Sequence, residues 1–452
     1  MNFFDLLVGQ KQDDSLFSKQ NIIFDLQAKQ YVVEQGLVGN RIIMLQSIKQ
    51  NDLQNFLINY IKSLNNKFKH IEINFSQFSN DGSQILIDVA NYLAQNNLIL
   101  KLDNLDVKFN QMNWNDNQSL IVTDFLKFVD PNINKLSIDI KQNLFTFEGL
   151  SQILDRLCQQ IYNLKQLEMC FSKQLNEKSQ KKDQICLGLQ SCFKLKYLTD
   201  LTLDLSQNHI SKQFFEGISS QKEFQINSTL RRLKLIIKYQ DEILDLSCLQ
   251  HIFKGTQNLK KIQLILTNTY FQNIELFMEP LSSSNLSTLQ LDLSIFQVGP
   301  QLQLENYEII AQQQILNVFA QLIACKKLME IDFNLKNHLF TDKHILMISN
   351  LLNQAQQLHK ISLDFQQNQQ IFNNQNYSQR SILQLQSSLL NREILSQGLI
   401  QIYQNKISNK RVLLTQYSLE IEQILLSYII FQKITERYNS FNPKFAFQDF
   451  YF

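Results

Sequence analysis

Ten times along this chain, five residues alternate so that the first, third and fifth are apolar. The segments are Ile71–Phe75, Leu105–Phe109, Leu136–Ile140, Leu167–Phe171, Leu201–Leu205, Leu233–Ile237, Ile262–Leu266, Leu289–Leu293, Ile331–Leu335 and Ile361–Phe365. Their starts lie 27 to 42 residues apart, with a mean near 32. Alternation with period two marks a strand with one buried face. Between these segments the apolar spacing becomes helical, as in Ile85, Val89 and Leu93, in Leu150, Ile153, Leu157 and Ile161, and in Ile315, Phe319 and Leu322. A strand that returns through a helix meets its successor in parallel. Neither element can bury its apolar side alone, so repeats of this kind are stabilised by stacking on one another.

The segment Leu203-Asp204-Leu205-Ser206-Gln207-Asn208-His209-Ile210 fits the pattern LxLxxNxL. On that match and the period, the stretch 70–370 resembles the leucine-rich repeat family, in particular the long ribonuclease-inhibitor-like type with a helix in each unit. The chain departs from the family where the asparagine after the strand is expected. It is present at Asn143, Asn208 and Asn368, while Gln174 and Gln240 replace it elsewhere. The alternation also begins two residues early. The resemblance implies an α/β solenoid with parallel strands on a concave face and helices on the convex one, serving as a binding scaffold.

Composition narrows the function further. Only 10 Gly occur in 452 residues, and no GxGxxG, GxxxxGK[ST] or GxSxG is present. Phosphate cradles and nucleophile elbows need glycine where backbone approaches a ligand or turns sharply. The six His are scattered, with His338 and His344 six apart, and the six Cys include no CxxC pair. That spacing does not place two metal ligands on one helix face, so solvated or hydrogen-bonded histidines and reduced thiols are expected. Neither a metal, a cofactor nor an enzymatic activity is expected. The longest dense apolar run, Ile424–Phe431, is short and holds Ser427, so no membrane span is expected, and Met1–Gln10 lacks the basic start of a secretory signal. A cytoplasmic protein follows from these features, with cytoskeletal or ciliary association as a variant. A net charge of +2 carries no footprint for nucleic acid.

If the odd positions point inward, the second and fourth residues of each segment face the concave side. Eight of those twenty are acidic: Glu72, Asp106, Asp139, Glu168, Asp204, Asp292, Asp332 and Asp364; Lys108 and Lys234 are basic. Acidic residues number 41 in the whole chain, so the face is enriched about fourfold. Two readings stand side by side. The face is a groove for a basic segment of a partner protein, steered by opposite charge, or it is a solvated sheet surface whose field Lys141, Lys238 and Lys336 partly offset.

Outside the repeats, residues 1–69 read as an N-terminal capping region, with a strand at Ser18–Leu26 and a helix over Arg41–Leu64. Met1–Gln10, with four large apolar residues, alternatively reads as a short partner-binding motif. The stretch 296–308 reads as an added loop, 366–379 as low-complexity, and 371–380 as a Gln/Asn-rich linker. Residues 381–452 read as a helical cap or as a docking region. The docking reading makes the chain a subunit of a larger cytoskeletal, ciliary or ubiquitin-ligase assembly. The 58 Gln and 44 Asn sit mostly between the apolar anchors, on helix surfaces and turns.

Overall fold

A computed structural model describes residues 21–25, 30–35, 40–45, 70–74, 79–174, 188–208, 210, 229–240, 243–255, 258–295, 307–336, 338, 342–355, 357–358, 360–364, 399–403 and 419–420. The chain divides into two compact units, 1–230 and 231–452. Both are α/β stacks in which parallel strands alternate with helical segments, the architecture expected from the repeat.

In the first unit, strands β4 (His70–Asn74), β5 (Asn104–Lys108), β6 (Lys135–Asp139), β7 (Gln166–Cys170) and β8 (Asp200–Asp204) pair in parallel. Their register is unshifted, so Ile71, Leu105, Leu136, Leu167 and Leu201 form one row. Each described apolar anchor is buried, from Leu105, Val107 and Phe109 through Leu201, Leu203 and Leu205. A one-residue slip would turn such a row to solvent, which is why the register repeats without drift. Helices α1 (Ser79–Gln95), α2 (Asp116–Leu126), α3 (Phe147–Gln160) and α4 (Gly188–Lys194) cover the other side. Val89 and Leu93, and Leu150, Ile153, Leu157 and Ile161, are buried as their spacing predicts.

Neighbouring repeats are fastened at their helix starts. Asn115 caps α2 in a reciprocal box with Gln118, and Thr146 caps α3 by accepting from the amides of Glu148 and Gly149. Asp116, in the first turn of α2, accepts from Thr146 N at 2.8 Å and from Thr146 Oγ1 at 2.6 Å. A Cβ on Gly149 would lie 2.0 Å from Asp116 Oδ1, so glycine is required for this approach.

A second fastening lies just past five of the described strands. Asn143 donates through Nδ2 to the carbonyls of Phe109 (2.7 Å) and Ile140 (2.8 Å) and accepts from Met112 N and Trp114 N through Oδ1. Gln174 at the same place reaches Ile140 O at 3.1 Å, and Asn208 reaches Phe171 O at 2.6 Å. In the second unit the same step is taken by Thr269, whose Oγ1 donates to Ile237 O at 2.7 Å, and by His338, whose Nε2 lies 2.5 Å from Leu293 O. Four residue types therefore satisfy one buried carbonyl in the preceding repeat, the first past its strand. The residue before this position adopts a left-handed backbone in six described repeats: Gln111, Gln142, Lys173, Gln207, Tyr239 and Asn268, with φ of 52° to 59°. The turn is set by the hydrogen bonds around it, since these residues bear the Cβ cost that glycine would avoid.

The second unit aligns β9 (Arg232–Ile236), β11 (Lys261–Ile265), β13 (Thr288–Asp292), β14 (Glu330–Asn334) and β15 (Lys360–Asp364) in parallel. Its first two repeats are the shortest, 29 and 27 residues between anchors, and each spends residues on a short second strand and a 3-10 turn. They are backed by β10 (Leu244–Asp245) and β12 (Phe271–Gln272), which pair in parallel, a 3-10 turn at Leu246–Leu249, and α5 (Gln250–Gly255) and α6 (Ile274–Met278). Each therefore keeps the helix that the resemblance implies, at six and five residues. The longer repeats carry α7 (Tyr307–Ala324) and α8 (Asp342–Gln354), with Ile315, Phe319 and Leu322 buried.

The ends differ from the sequence reading. Strand β1 (Asn21–Asp25) lies within the expected Ser18–Leu26 and pairs in parallel with β4. It also starts an antiparallel run with β2 (Gln30–Gln35) and β3 (Asn40–Leu45), so the helix expected from Arg41 is a strand through Leu45. The run Arg-Ile-Ile-Met-Leu is too short for periodicity to separate the two states, and sheet pairing decides it. Leu399–Tyr403 (β16) extends the sheet beside β15, and Leu419–Glu420 (β17) pairs with it antiparallel, where helix was expected. Ile400 and Ile402 stand in register with Ile361 and Leu363, so their alternation suits the sheet. Tyr307 and Glu308, at the end of the expected loop 296–308, belong to α7. The Met1–Gln10 motif and the linker 371–380 lie outside the described residues.

Candidate protein-binding surface

The strand faces opposite the helices present the first, third and fifth residue of each strand. In the first unit the side-chain positions on β5 to β8 hold five carboxylates, Asp106, Asp139, Glu168, Asp200 and Asp204, against two amines, Lys108 and Lys135. Asp200 was missed from sequence because the strands begin one residue before the first apolar anchor. Glu72 stands in register with Asp106 on β4.

The structure shows two roles within this set. Residues ending a strand close the following turn: Asp139 Oδ1 accepts from Lys141 N at 3.3 Å, Asp204 Oδ1 from Ser206 N at 3.0 Å, and Asp292 Oδ1 from Ser294 N at 3.1 Å. This is the short side chain bonding the backbone two residues on that favours Asp and Asn at turns. Asn334 does the same for Lys336 N at 3.4 Å. Mid-strand carboxylates are tied less. Glu168 meets Lys135 at 3.0 Å with 45% of its side chain exposed, and Asp332, which is exposed, accepts from Gln290 Nε2 at 3.1 Å. Lys141 lies 3.6 Å from Asp139 and Lys336 lies 3.1 Å from Asp364, so two of the three expected offsetting lysines pair as supposed.

In the second unit the same face is divided. Strands β9 and β11 present Arg232, Lys234 and Lys261 and no carboxylate. Strands β13 to β15 present Asp292, Glu330, Asp332 and Asp364 with Lys360 as the sole cation, 4.0 Å from Glu330.

No catalytic constellation emerges among the described residues. Cys170, on the strand face beside Asp204, is held in its neutral form: burial first, then the carboxylates of Asp139 and Asp204, push the thiol up to about 12. Burial pushes Cys325 up to about 11. Cys192 lies 3.6 Å from Cys158, and that thiol hydrogen bond together with burial raises it well above the ordinary value. Thiols in this state are poor nucleophiles. His338 is buried and stays neutral, its pKa lowered to about 4 by burial against the partial opposition of the Leu293 carbonyl and Asp292. Among the described residues no group of three or more His, Cys, Asp or Glu is placed to hold a metal ion. None of the described helices is long and apolar enough to cross a membrane. A shallow groove of about 350 Å³ lies between α7 and α8, lined by Leu316, Ala320, Leu346 and Met347, with Lys343 and Asn350 at its edge.

No protein-family model and no curated protein sequence matches the chain. Among solved structures, the tropomodulin C-terminal domain of Caenorhabditis elegans is similar over 37% of this chain and 89% of its own, at 10% identity and a TM-score of 0.27.

Proposed function

We propose that the chain is a non-catalytic protein-interaction scaffold, a leucine-rich solenoid of the ribonuclease-inhibitor-like type. Its acidic strand face takes a basic segment of a partner protein. Residues 70–370 form the repeat array in this reading, with 1–69 capping it, 371–380 linking, and 381–452 closing or docking the far end. The observation that supports it is the charge on β5 to β8: five carboxylates against two amines on one half-buried face. Turn closure accounts for Asp139 and Asp204. It does not account for Glu168, or for Asp200 in the first position. Carboxylates clustered on a rigid surface raise the association rate of a cationic partner and select against an anionic one.

The test uses amides, which keep the turn-closing acceptor at Asp204 while removing charge. Binding of a fluorescein-labelled decapeptide holding four consecutive Lys followed by two Leu is measured by anisotropy at low salt, for the full chain and for D106N/E168Q/D204N. The expected result is a loss of at least tenfold, or about 1.4 kcal/mol. Equal binding by the two proteins refutes the acidic face as the site.

A further inference from the structure

We infer that the strand face at the start of the second unit, β9 and β11, is a separate docking surface for an acidic, apolar-bearing segment of a protein. The inference deepens the scaffold reading, on which it rests, and assigns this patch the opposite charge preference. Parallel register sets Arg232 opposite Lys261, Lys234 opposite Gln263 and Ile236 opposite Ile265. Arg231 and Lys260 immediately precede the two strands, and the Arg231 carbonyl accepts from Lys260 N at 2.8 Å and from Lys261 N at 2.9 Å. Four cations are thereby gathered at one end of two adjacent strands; Arg231, Arg232 and Lys260 are exposed, and Lys261 is half-buried.

Like charges directly opposite across a strand pair are unfavourable. Among the described residues no carboxylate stands within ion-pairing distance of Arg231, Lys234, Lys260 or Lys261. A chain of net charge +2 has no general excess of cations to scatter here, so the block is local. The far end of the same face carries the second signal. Apart from the two-residue β10 and β12, every other described strand from β5 to β15 ends in a polar or sulfur-bearing residue: Lys108, Asp139, Cys170, Asp204, Asp292, Asn334 or Asp364. Strands β9 and β11 end in Ile236 and Ile265, both half-buried on the solvent side, and Tyr239 beyond them is 49% exposed. Two strands about 4.8 Å apart and roughly 16 Å long fit about five extended residues. The chemistry that matches is a run of carboxylates followed by one or two branched apolar residues. Nucleic acid matches less well, because the isoleucines offer it nothing and lie where a phosphate backbone would continue.

The experiment uses the full chain and labelled decapeptides read by anisotropy. One peptide holds four consecutive Glu followed by two Leu; the second is the Lys-Leu peptide above; the third probe is a ten-nucleotide oligo-dT. The Glu-Leu peptide binds the wild type and loses at least tenfold with R232E/K234E/K261E and at least threefold with I236S/I265S, while K326E/K343E, elsewhere in the unit, leaves it unchanged. Thermal melting of each variant separates lost binding from lost folding, and the serine pair tests the surface without touching charge. Equal binding to wild type and to a folded charge-reversal variant overturns the inference. So does tighter binding of the oligonucleotide, or failure of the Glu-Leu peptide to bind while the Lys-Leu peptide does. Failure of both peptides overturns the scaffold reading itself.

Discussion

Replacing His338 by asparagine should remove a specific acid sensitivity from the second unit. His338 is fully buried, and its Nε2 lies against the Leu293 carbonyl, the place where Asn143 and Asn208 use an amide. Burial lowers its pKa from 6.5 to about 4 in the folded chain. Between those two values the unfolded chain binds a proton that the folded chain does not, so stability rises with pH across that window and is lost as pH falls through it. The loss amounts to about 2 kcal/mol by pH 5 and about 3 kcal/mol by pH 4, and is negligible at pH 7.5. For a unit of this size each kcal/mol is worth roughly 2–4 °C in Tm, giving about 4–8 °C at pH 5. His338→Asn keeps a donor for the carbonyl and cannot titrate. Thermal unfolding of both proteins at pH 7.5 and pH 5.0 isolates the effect from other groups that titrate in the range. The wild type should fall further than the variant by that amount. The same fall in both proteins would refute the assignment of a neutral, buried His338.

Other consequences follow from the repeat geometry. Asn143→Ala removes two donated and two accepted bonds to buried backbone, at a net cost near 1 kcal/mol each, so denaturant unfolding should show a loss of about 4 kcal/mol. Asn143→Gln, the residue the next repeat uses, should recover part of it. Gly149→Ala drives a methyl into Asp116 and breaks its bonds to Thr146; a Tm drop equivalent to about 2–4 kcal/mol is expected, and a neutral result would show that the α2 start moves freely. Lys173 is exposed with φ of 52°, so Lys173→Gly should raise stability by up to about 1 kcal/mol, while Lys173→Val should lower it by more than that, both read from urea midpoints.

Much of the fold could be read from residue spacing alone. The buried anchors such as Leu136, Ile138 and Ile140 follow from alternation, because a strand's side-chain period is a local property of its backbone. The helices α1, α3 and α7 follow from apolar stripes of the other period. The same local signal misleads at Asn40–Leu45 and Leu399–Tyr403, where a short apolar run is equally compatible with either state and pairing with β2 or β15 decides. Of the acidic face, the positions were legible and the roles were not. That Asp204 closes a turn, that Glu168 is offset by Lys135, and that Asp200 joins the face depend on where each strand begins and on its neighbour.

The sequence by itself determined the repeat, its period, and which side chains line the core, since those depend on residues a few positions apart. Only the tertiary structure decided what stands one repeat away. It placed Thr269 and His338 at the position that Asn143, Gln174 and Asn208 hold in other repeats, although no sequence pattern unites an amide, a hydroxyl and an imidazole. Their shared task is to donate to a carbonyl roughly 30–45 residues earlier, and such a partner becomes a neighbour only after the strands have stacked. The cationic block on β9 and β11 arises for the same reason: Arg232 and Lys261 are 29 residues apart in the chain and side by side in the sheet.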